Sequence, residues 1–320
     1  MSSTLPPILV SAYAASPAHQ SWDSQLEARL LPGLCAMPGV AGLEVPWMGG
    51  VHPHDDQWFL AHVPAGAQLA LTPLPWVMAR ATQDSHYGIA SADADGRRAA
   101  VEDLRAVAKD VERLAGVSAA RVTYVSLHTA PRGGGSAPAL ARSIDEIAAW
   151  DWQGARLVVE HCDAAVGHRF EKGFLRLDEE IDVIAASGVT LGVWLNWGRS
   201  MVELRDADAV TAQIARAAAT GLLTGLTLSG TADTDGPYGS AWADAHLPLA
   251  AADPQSGSLL DSDHVRAALS AAGPVEALGL KVSRRPADST AEDVLRTVED
   301  NLRATSDSVG HDTVPGHRRG

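Results

Sequence analysis

The chain is poor in lysine, cysteine and phenylalanine. Three lysines (Lys109, Lys172, Lys281), two cysteines (Cys35, Cys162) and three phenylalanines occur in 320 residues. Two cysteines cannot build a disulfide scaffold, which predicts a cytoplasmic protein with free thiols. Basic residues are also few: 25 Lys plus Arg against 39 Asp plus Glu give a formal net charge of -14. That balance argues against nucleic acid as a partner, because such a surface carries a basic patch. It leaves room for a local cationic pocket. No apolar run approaches the ~20 residues that span a bilayer, so no membrane partner is expected. The opening MSSTLPPILVSAY lacks the basic stretch and long apolar run of a secretory signal. No G-x-G-x-x-G follows an apolar run, so nothing supports a dinucleotide-binding fingerprint.

Apolar residues make up 46% and charged residues 20%, enough for a large core and too apolar for disorder. A length of 320 suggests two domains at roughly 150 residues each, but an α/β barrel uses such a chain as one unit. Short apolar runs at 7–13, 40–45, 68–74, 121–127, 156–160, 189–196, 222–228 and 275–282 read as strands. Amphipathic stretches at 22–35, 55–62, 95–115, 143–150, 177–186, 210–220, 261–272 and 290–304 read as helices, with Gly116 as a stop for the third. Strands that are apolar throughout are buried on both faces, as in parallel sheets. A single (β/α)8 barrel over residues 1–304 uses all eight units, and an open doubly wound sheet is the alternative. Residues 305–320 show no periodicity and are expected to be a disordered tail. The segment 230–258 is a long loop, and such loops are often functional.

Barrel enzymes place their chemistry at the C-terminal ends of the strands. Here those ends carry Glu44, His128, the Glu160-His161-Cys162-Asp163 run, Asn196 with Arg199, Ser229 and Lys281. Three polar side chains directly after a buried strand cannot all be solvated. Either one is catalytic or a ligand, or one points inward while the others cap the next helix. His128 reads as a proton carrier or ligand, or as a histidine satisfied by a carbonyl. His52, His54 and His86 read as loop or surface residues. Asp244 and His246, in AWADAHLPL, can bring a carboxylate and an imidazole over the mouth. Lys109 and Lys172 read as solvated. Lys281, inside VEALGLKVS, either exits outward or points inward, where it needs a carboxylate or an anionic ligand. Arg199 and Arg205 flank Glu203, which allows a local Arg–Glu brace as readily as substrate binding. Nine tryptophans form a skewed aromatic set. Trp47, Trp76 and Trp197 follow strands and suit either sugar stacking or barrel-to-helix filling, whereas Trp194 reads as core.

GLEVPW (42–47), LHTAP (127–131), VVEHCDA (158–164), LNWGRS (195–200) and LGLKVS (278–283) together resemble the xylose-isomerase-like TIM-barrel superfamily over residues 8–304. Within it they are most similar to an uncharacterised branch sharing SAYAASP, EHCDA and NWGRS-type motifs. The resemblance implies a sugar isomerase or epimerase working by enediol proton transfer, and in this branch an anionic sugar such as sulfoquinovose. Metal-dependent members of the superfamily use four carboxylate and histidine ligands from strands five to eight. Glu160 matches the first, while Asn196, Ser229 and Lys281 stand at the others. No cofactor is therefore expected, with a divalent metal as the alternative. Glu160, His161, His128 and Lys281 are the expected catalytic residues, with Glu160 or His161 as base and Lys281 as electrophile. Glu44, Trp47, Asp163, Asn196, Arg199 and His246 are the expected substrate contacts. The expected partners are a small sugar and further copies of the chain. A Schiff-base aldolase using Lys281 and a non-enzymatic sugar-binding protein are the competing readings.

Overall fold

The computed structural model describes residues 5–168 and 170–310. Its strands are β1 (Ile8–Ser11), β2 (Val40–Pro46), β3 (Gln68–Thr72), β4 (Arg121–Leu127), β5 (Arg156–Glu160), β6 (Leu191–Asn196), β7 (Leu223–Leu228) and β8 (Ala277–Leu280). Each pairs in parallel with the next, and β8 returns to β1, so the sheet closes into a barrel rather than the open sheet. The helices are α1 (Ala12–Ala15), α2 (Ser24–Cys35), α3 (Asp56–His62), α4 (Leu74–Gln83), α5 (Ala94–Val117), α6 (Ala137–Ala148), α7 (Leu177–Ser187), α8 (Trp197–Leu204), α9 (Ala207–Ala219), α10 (Ser262–Ala272) and α11 (Ala291–Gly310). Among the described residues no helix is long and apolar enough to cross a membrane.

The strands separate two apolar regions because successive side chains face opposite ways. Val10, Leu43, Leu69, Val125, Val193 and Leu278 pack outward against the helices. Leu9, Ala70, Tyr124, Val158, Trp194 and Ala277 form a separate cluster inside the barrel. Trp194 is its largest member, and its indole lies flat on β7. A Cβ on Gly225 would come within 2.4 Å of the ring, so that position needs glycine. The indole N–H donates to Thr227 Oγ1 at 2.7 Å, which satisfies the buried donor. One residue pair further along the strands the interior turns polar. A cavity of ≈ 20 Å³ there touches Leu9, Glu44, Ser126, Glu160, Trp194 and Thr227, with room for about one water. An apolar plug thus forms the floor beneath a polar layer at the C-terminal mouth.

Asp23, Asp55, Asp93, Asp206 and Asp261 cap α2, α3, α5, α9 and α10, each accepting from first-turn backbone N–H groups. Part of the acidic excess is therefore spent on helix N-termini, where the backbone dipoles favour negative charge.

Several boundaries differ from expectation. β3 ends at Thr72, because Pro73 opens α4, a helix the strand-like run concealed. Gly116 lies within α5, which ends only when the Ser118 N–H bonds Leu114 O. α6 starts at Ala137, capped by Ser136, well before 143. α8 leaves β6 with no loop at all. The expected tail from 305 is also corrected, since α11 runs on to Gly310. Thr305 and Ser308 are buried there, their hydroxyls bonding back to Asn301 O and Ala304 O at 2.9 and 2.7 Å. Back-bonding removes the cost of burying these hydroxyls, so a polar stretch continues the helix. Residues 311–320 of that expected tail lie outside the described residues.

Candidate active site at the barrel mouth

Lys281 lies just past β8 and is fully buried. Its ammonium donates to Glu44 Oε1 of β2 at 2.8 Å and sits 4.8 Å from the centre of the Tyr13 ring. Burial alone would lower this amine's pKa, but the Glu44 carboxylate raises it well above the ordinary lysine value. Lys281 is therefore a fixed cation. The inward orientation is the one that requires a carboxylate partner, and Glu44 is that partner.

Glu160 ends β5, three strands from β8 and from β2 around the barrel. Its Oε2 pairs with His128 Nε2 at 2.8 Å, and its Oε1 accepts from Arg199 Nη1. Arg199 lies in the first turn of α8 because Asn196 caps that helix, its Oδ1 accepting from Arg199 N at 3.2 Å. Gly198 permits this start, since a Cβ there would stand 2.6 Å from Ser229 O. Burial would raise the Glu160 carboxyl, but Arg199, Lys281 and the His128 bond together hold it below the ordinary carboxylate range. His128 is lowered, chiefly by burial, and is neutral near pH 7.

The long loop after β7 supplies a third carboxylate. Asp244 accepts from Arg199 Nε at 3.0 Å and from Lys172 Nζ at 2.7 Å. Its other oxygen stands 3.2 Å from His246 Nδ1, which is also 3.2 Å from Ser229 Oγ. Lys172, Arg199 and His246 keep the Asp244 carboxyl well below its usual range despite burial. His246 is lowered, chiefly by burial and further by Lys281 and Arg199, with Asp244 opposing. Trp242 and His246 flank Asp244 in the left-handed region at φ 61 and 54. Non-glycine residues are held there only when surroundings demand it. The pins are the Trp242 N–H on Ala232 O at 2.7 Å and the Ser283 N–H on His246 O at 2.7 Å. The mouth thus holds three carboxylates (Glu44, Glu160, Asp244) and three cations (Lys172, Arg199, Lys281) around two neutral imidazoles.

Of the expected residues, Glu44, His128, Glu160, Asn196, Arg199, His246 and Lys281 meet at this mouth. Three others do not. His161 faces away, between Glu180 of α7 and Glu203 of α8, at 2.7 and 3.0 Å. Those carboxylates raise its pKa to about 10 against the effect of burial, so it is an imidazolium and cannot serve as a base near neutrality. Asp163 accepts from the Glu171 and Lys172 backbone N–H groups at 2.6 and 2.8 Å, shaping the loop that delivers Lys172. Trp47 is buried between the barrel and its helices, donating to Asp110 Oδ2 at 2.8 Å and meeting Trp76 edge-on. The local Arg–Glu brace does not form either: Arg205 lies over Trp242, and Glu203 serves His161. Lys172, expected to be solvated, is buried in the cluster. Its rarity was the signal, for the two buried lysines are two of only three in the chain. Tyr13 is hidden in the sequence because the expected first strand, 7–13, takes it in as its last residue, whereas β1 ends at Ser11 and Tyr13 lies in α1.

The four positions that hold a divalent metal in the resembling superfamily do not fit one here. Glu160 is engaged by Arg199, Asn196 turns its carbonyl oxygen to the α8 backbone, Ser229 offers only a hydroxyl, 3.2 Å from His246 Nδ1, and the Lys281 ammonium faces the same interior. Among the described residues no three His, Cys, Asp or Glu side chains are grouped as a metal would need. A cation site already filled by protein cations repels a further one.

The family model described as a domain of unknown function, DUF4862, matches residues 9–297. A protein of Salmonella typhimurium described as "Uncharacterized protein STM3670" is 35% identical over 271 residues, which is 83% of this chain and 85% of that one. Among solved structures, L-ribulose 3-epimerase matches with a TM-score of 0.60 and 15% identity, over 99% of this chain and 100% of that one. A putative sugar phosphate isomerase/epimerase from Anabaena variabilis matches at 0.59 and 11% identity, over 96% and 100%. Identities this low report the fold alone, a closed (β/α)8 barrel. The sequence match extends through every strand bearing the mouth residues, and the chain is a member of the DUF4862 family.

Proposed function

We propose that this protein is a sugar isomerase or epimerase that moves a proton between carbons through an enediol, with Lys281 acting where related barrels use a metal. The observation that carries the reading is the buried Lys281 ammonium, paired with Glu44 and near enough to the partly accessible His246 to help keep it neutral. Enediol chemistry needs a base at carbon and positive charge at the carbonyl oxygen. His246 is the better base than Glu160 or His161. With Nδ1–H turned to Asp244 Oδ1 and Ser229 Oγ, each 3.2 Å away, its Nε2 carries a lone pair, and Asp244 stabilises the imidazolium that forms. In the step, Nε2 takes the proton from the carbon next to the carbonyl. The C–H bonding pair becomes the C=C bond, the C=O π pair moves to the oxygen, and Lys281 stabilises the resulting enediolate. Return of the proton to the former carbonyl carbon, with the neighbouring hydroxyl proton passing to the enediolate oxygen, gives isomerisation, and epimerisation requires a second acid on the opposite face of the carbon.

An anionic sugar, sulfoquinovose being one example, suits the same mouth. Arg199 Nη2 and Asn196 Nδ2 are buried donors without a partner, and such donors favour a ligand rich in oxygen. The solved structures of like fold named for sugar epimerases support the substrate class. A Schiff-base aldolase requires a neutral amine, which Glu44 opposes at Lys281. A sugar-binding protein would leave the Asp244–His246 pair without work. The test is an NMR screen of neutral, sulfonated and carboxylated sugars in deuterated water. Deuterium entering the carbon next to the carbonyl supports the reading. Binding without exchange for every sugar bound would replace it with the sugar-binding one.

A further inference from the structure

His161 directly follows Glu160, yet it has no place in the proton transfer. Both of its ring nitrogens face carboxylates, Nδ1 on Glu180 Oε2 and Nε2 on Glu203 Oε2. Both must donate, so the ring carries a charge. Each carboxylate is tied again: Thr129 Oγ1 donates to Glu180 Oε1 at 2.5 Å, and Ala164 N donates to Glu203 Oε2 at 3.1 Å. Arg176 also lowers the Glu203 pKa through its charge. Glu203 lies one turn after Arg199 on α8, so the two share a face. The end of β5 therefore grips that face at two points. Glu160 holds Arg199, and His161 with Ala164 holds Glu203.

We propose that His161 is a positioning residue for Arg199: its imidazolium fixes α8 through Glu203, so that the Arg199 guanidinium stands between Glu160 and Asp244. Arg199 is planar and bonds in fixed directions, so a small rotation of α8 breaks one of its two carboxylate contacts. A neutral amide at 161 can serve one of the two carboxylates and leaves the other buried without its cation. Turning Glu203 toward solvent relieves that charge, and Arg199, one turn back on α8, turns with it.

The kinetic arm rests on the proposed sugar chemistry, and the spectroscopic arm does not. In 15N-labelled protein, the Arg199 Nε–H signal is assigned by its loss in Arg199→Lys. This N–H is buried and bonded to Asp244, which protects it from exchange. His161→Gln and the milder Glu203→Gln, each folded by circular dichroism, are expected to shift or broaden that signal. An unmoved Nε–H signal in folded Glu203→Gln overturns the proposal, whether or not His161→Gln folds. In the kinetic arm, adding His161→Gln to Arg199→Lys is expected to lower the deuterium-exchange rate no further than Arg199→Lys alone. Additive losses would give His161 a role independent of Arg199. If the wild-type protein exchanges no sugar, the sugar chemistry fails while the Nε–H signal still decides the positioning role.

Discussion

Two histidine–carboxylate pairs stand at the barrel mouth and differ in access. His128 and Glu160 are 0% and 4% exposed at their side chains, sealed beneath Arg199. His246 on Asp244 is 16% exposed, and across from it Glu44 is 15% exposed beside Lys281. Both imidazoles are neutral, and burial is the main cause for both. Electrostatics alone therefore does not separate them. A base must also touch substrate, and that requirement selects the accessible pair. The sealed pair belongs to the ionic layer that holds the mouth's shape.

Substituting the two histidines tests the distinction most strongly. His246→Gln should lower kcat by roughly 10²–10⁴-fold with the fold intact, the usual span for loss of a general base. His128→Gln should lower stability by about 1–3 kcal/mol through the weakened contact at Glu160 Oε2, Oε1 keeping Arg199, and change kcat far less. Urea unfolding and exchange kinetics on both variants measure the contrast, and equal kinetic losses would dissolve it. The pH profile adds a sign. His246 is shifted below 6.5, so kcat/KM should be flat at pH 7 and fall as pH drops through a midpoint below 6.5. A fall with rising pH through neutrality would mean that the required form is protonated.

Breaking the sealed side directly should appear as stability. Arg199→Met leaves Glu160 and Asp244 buried with a missing cation. Losing one partner of a buried ion pair costs about 3–5 kcal/mol. A loss under ~1 kcal/mol would mean that water reaches these carboxylates and that the two sides do not differ in access. Beside the 15% exposed Glu44, the buried Lys281 is the cation next to the open side, and Lys281→Met should lower kcat by roughly 10²–10³-fold, with a smaller change in the Michaelis constant. If the Michaelis constant rises alone, Lys281 binds an anionic substituent and does not stabilise the enediolate.

The same contrast explains what the sequence could and could not disclose. Strands buried on both faces are continuous apolar runs, so all eight could be located. Period two along them then places Glu160 above Val158 on the inner face, and His161 on the other face. The EHCD run drew attention to His161 by density, while alternation had already sent it outward. α4 and α8 escaped because Pro73 and Asn196 start them directly at strand ends, with no loop signal between. Lys172 and Asp244 lie 72 residues apart on two loops, and their pairing depends on the closed barrel bringing those loops together. No local pattern encodes such a contact.

Trp47 gives the smallest and most specific test. By sequence it suits a sugar-stacking face, but it sits outside the strand barrel against α4 and α5. Trp47→Phe keeps most of the apolar ring and deletes only the N–H donated to Asp110. Asp110 retains Arg113, whose Nε donates to it at 3.1 Å, so the carboxylate is not left alone. The cost should therefore be that of one ordinary hydrogen bond, about 1 kcal/mol, read as a shift in the urea midpoint. Because the indole faces helices and not the mouth, the Michaelis constant for any sugar turned over should stay unchanged. A raised Michaelis constant at unchanged stability would return Trp47 to the substrate face, and the mouth would then extend beneath α4 rather than close at Glu44 and His246.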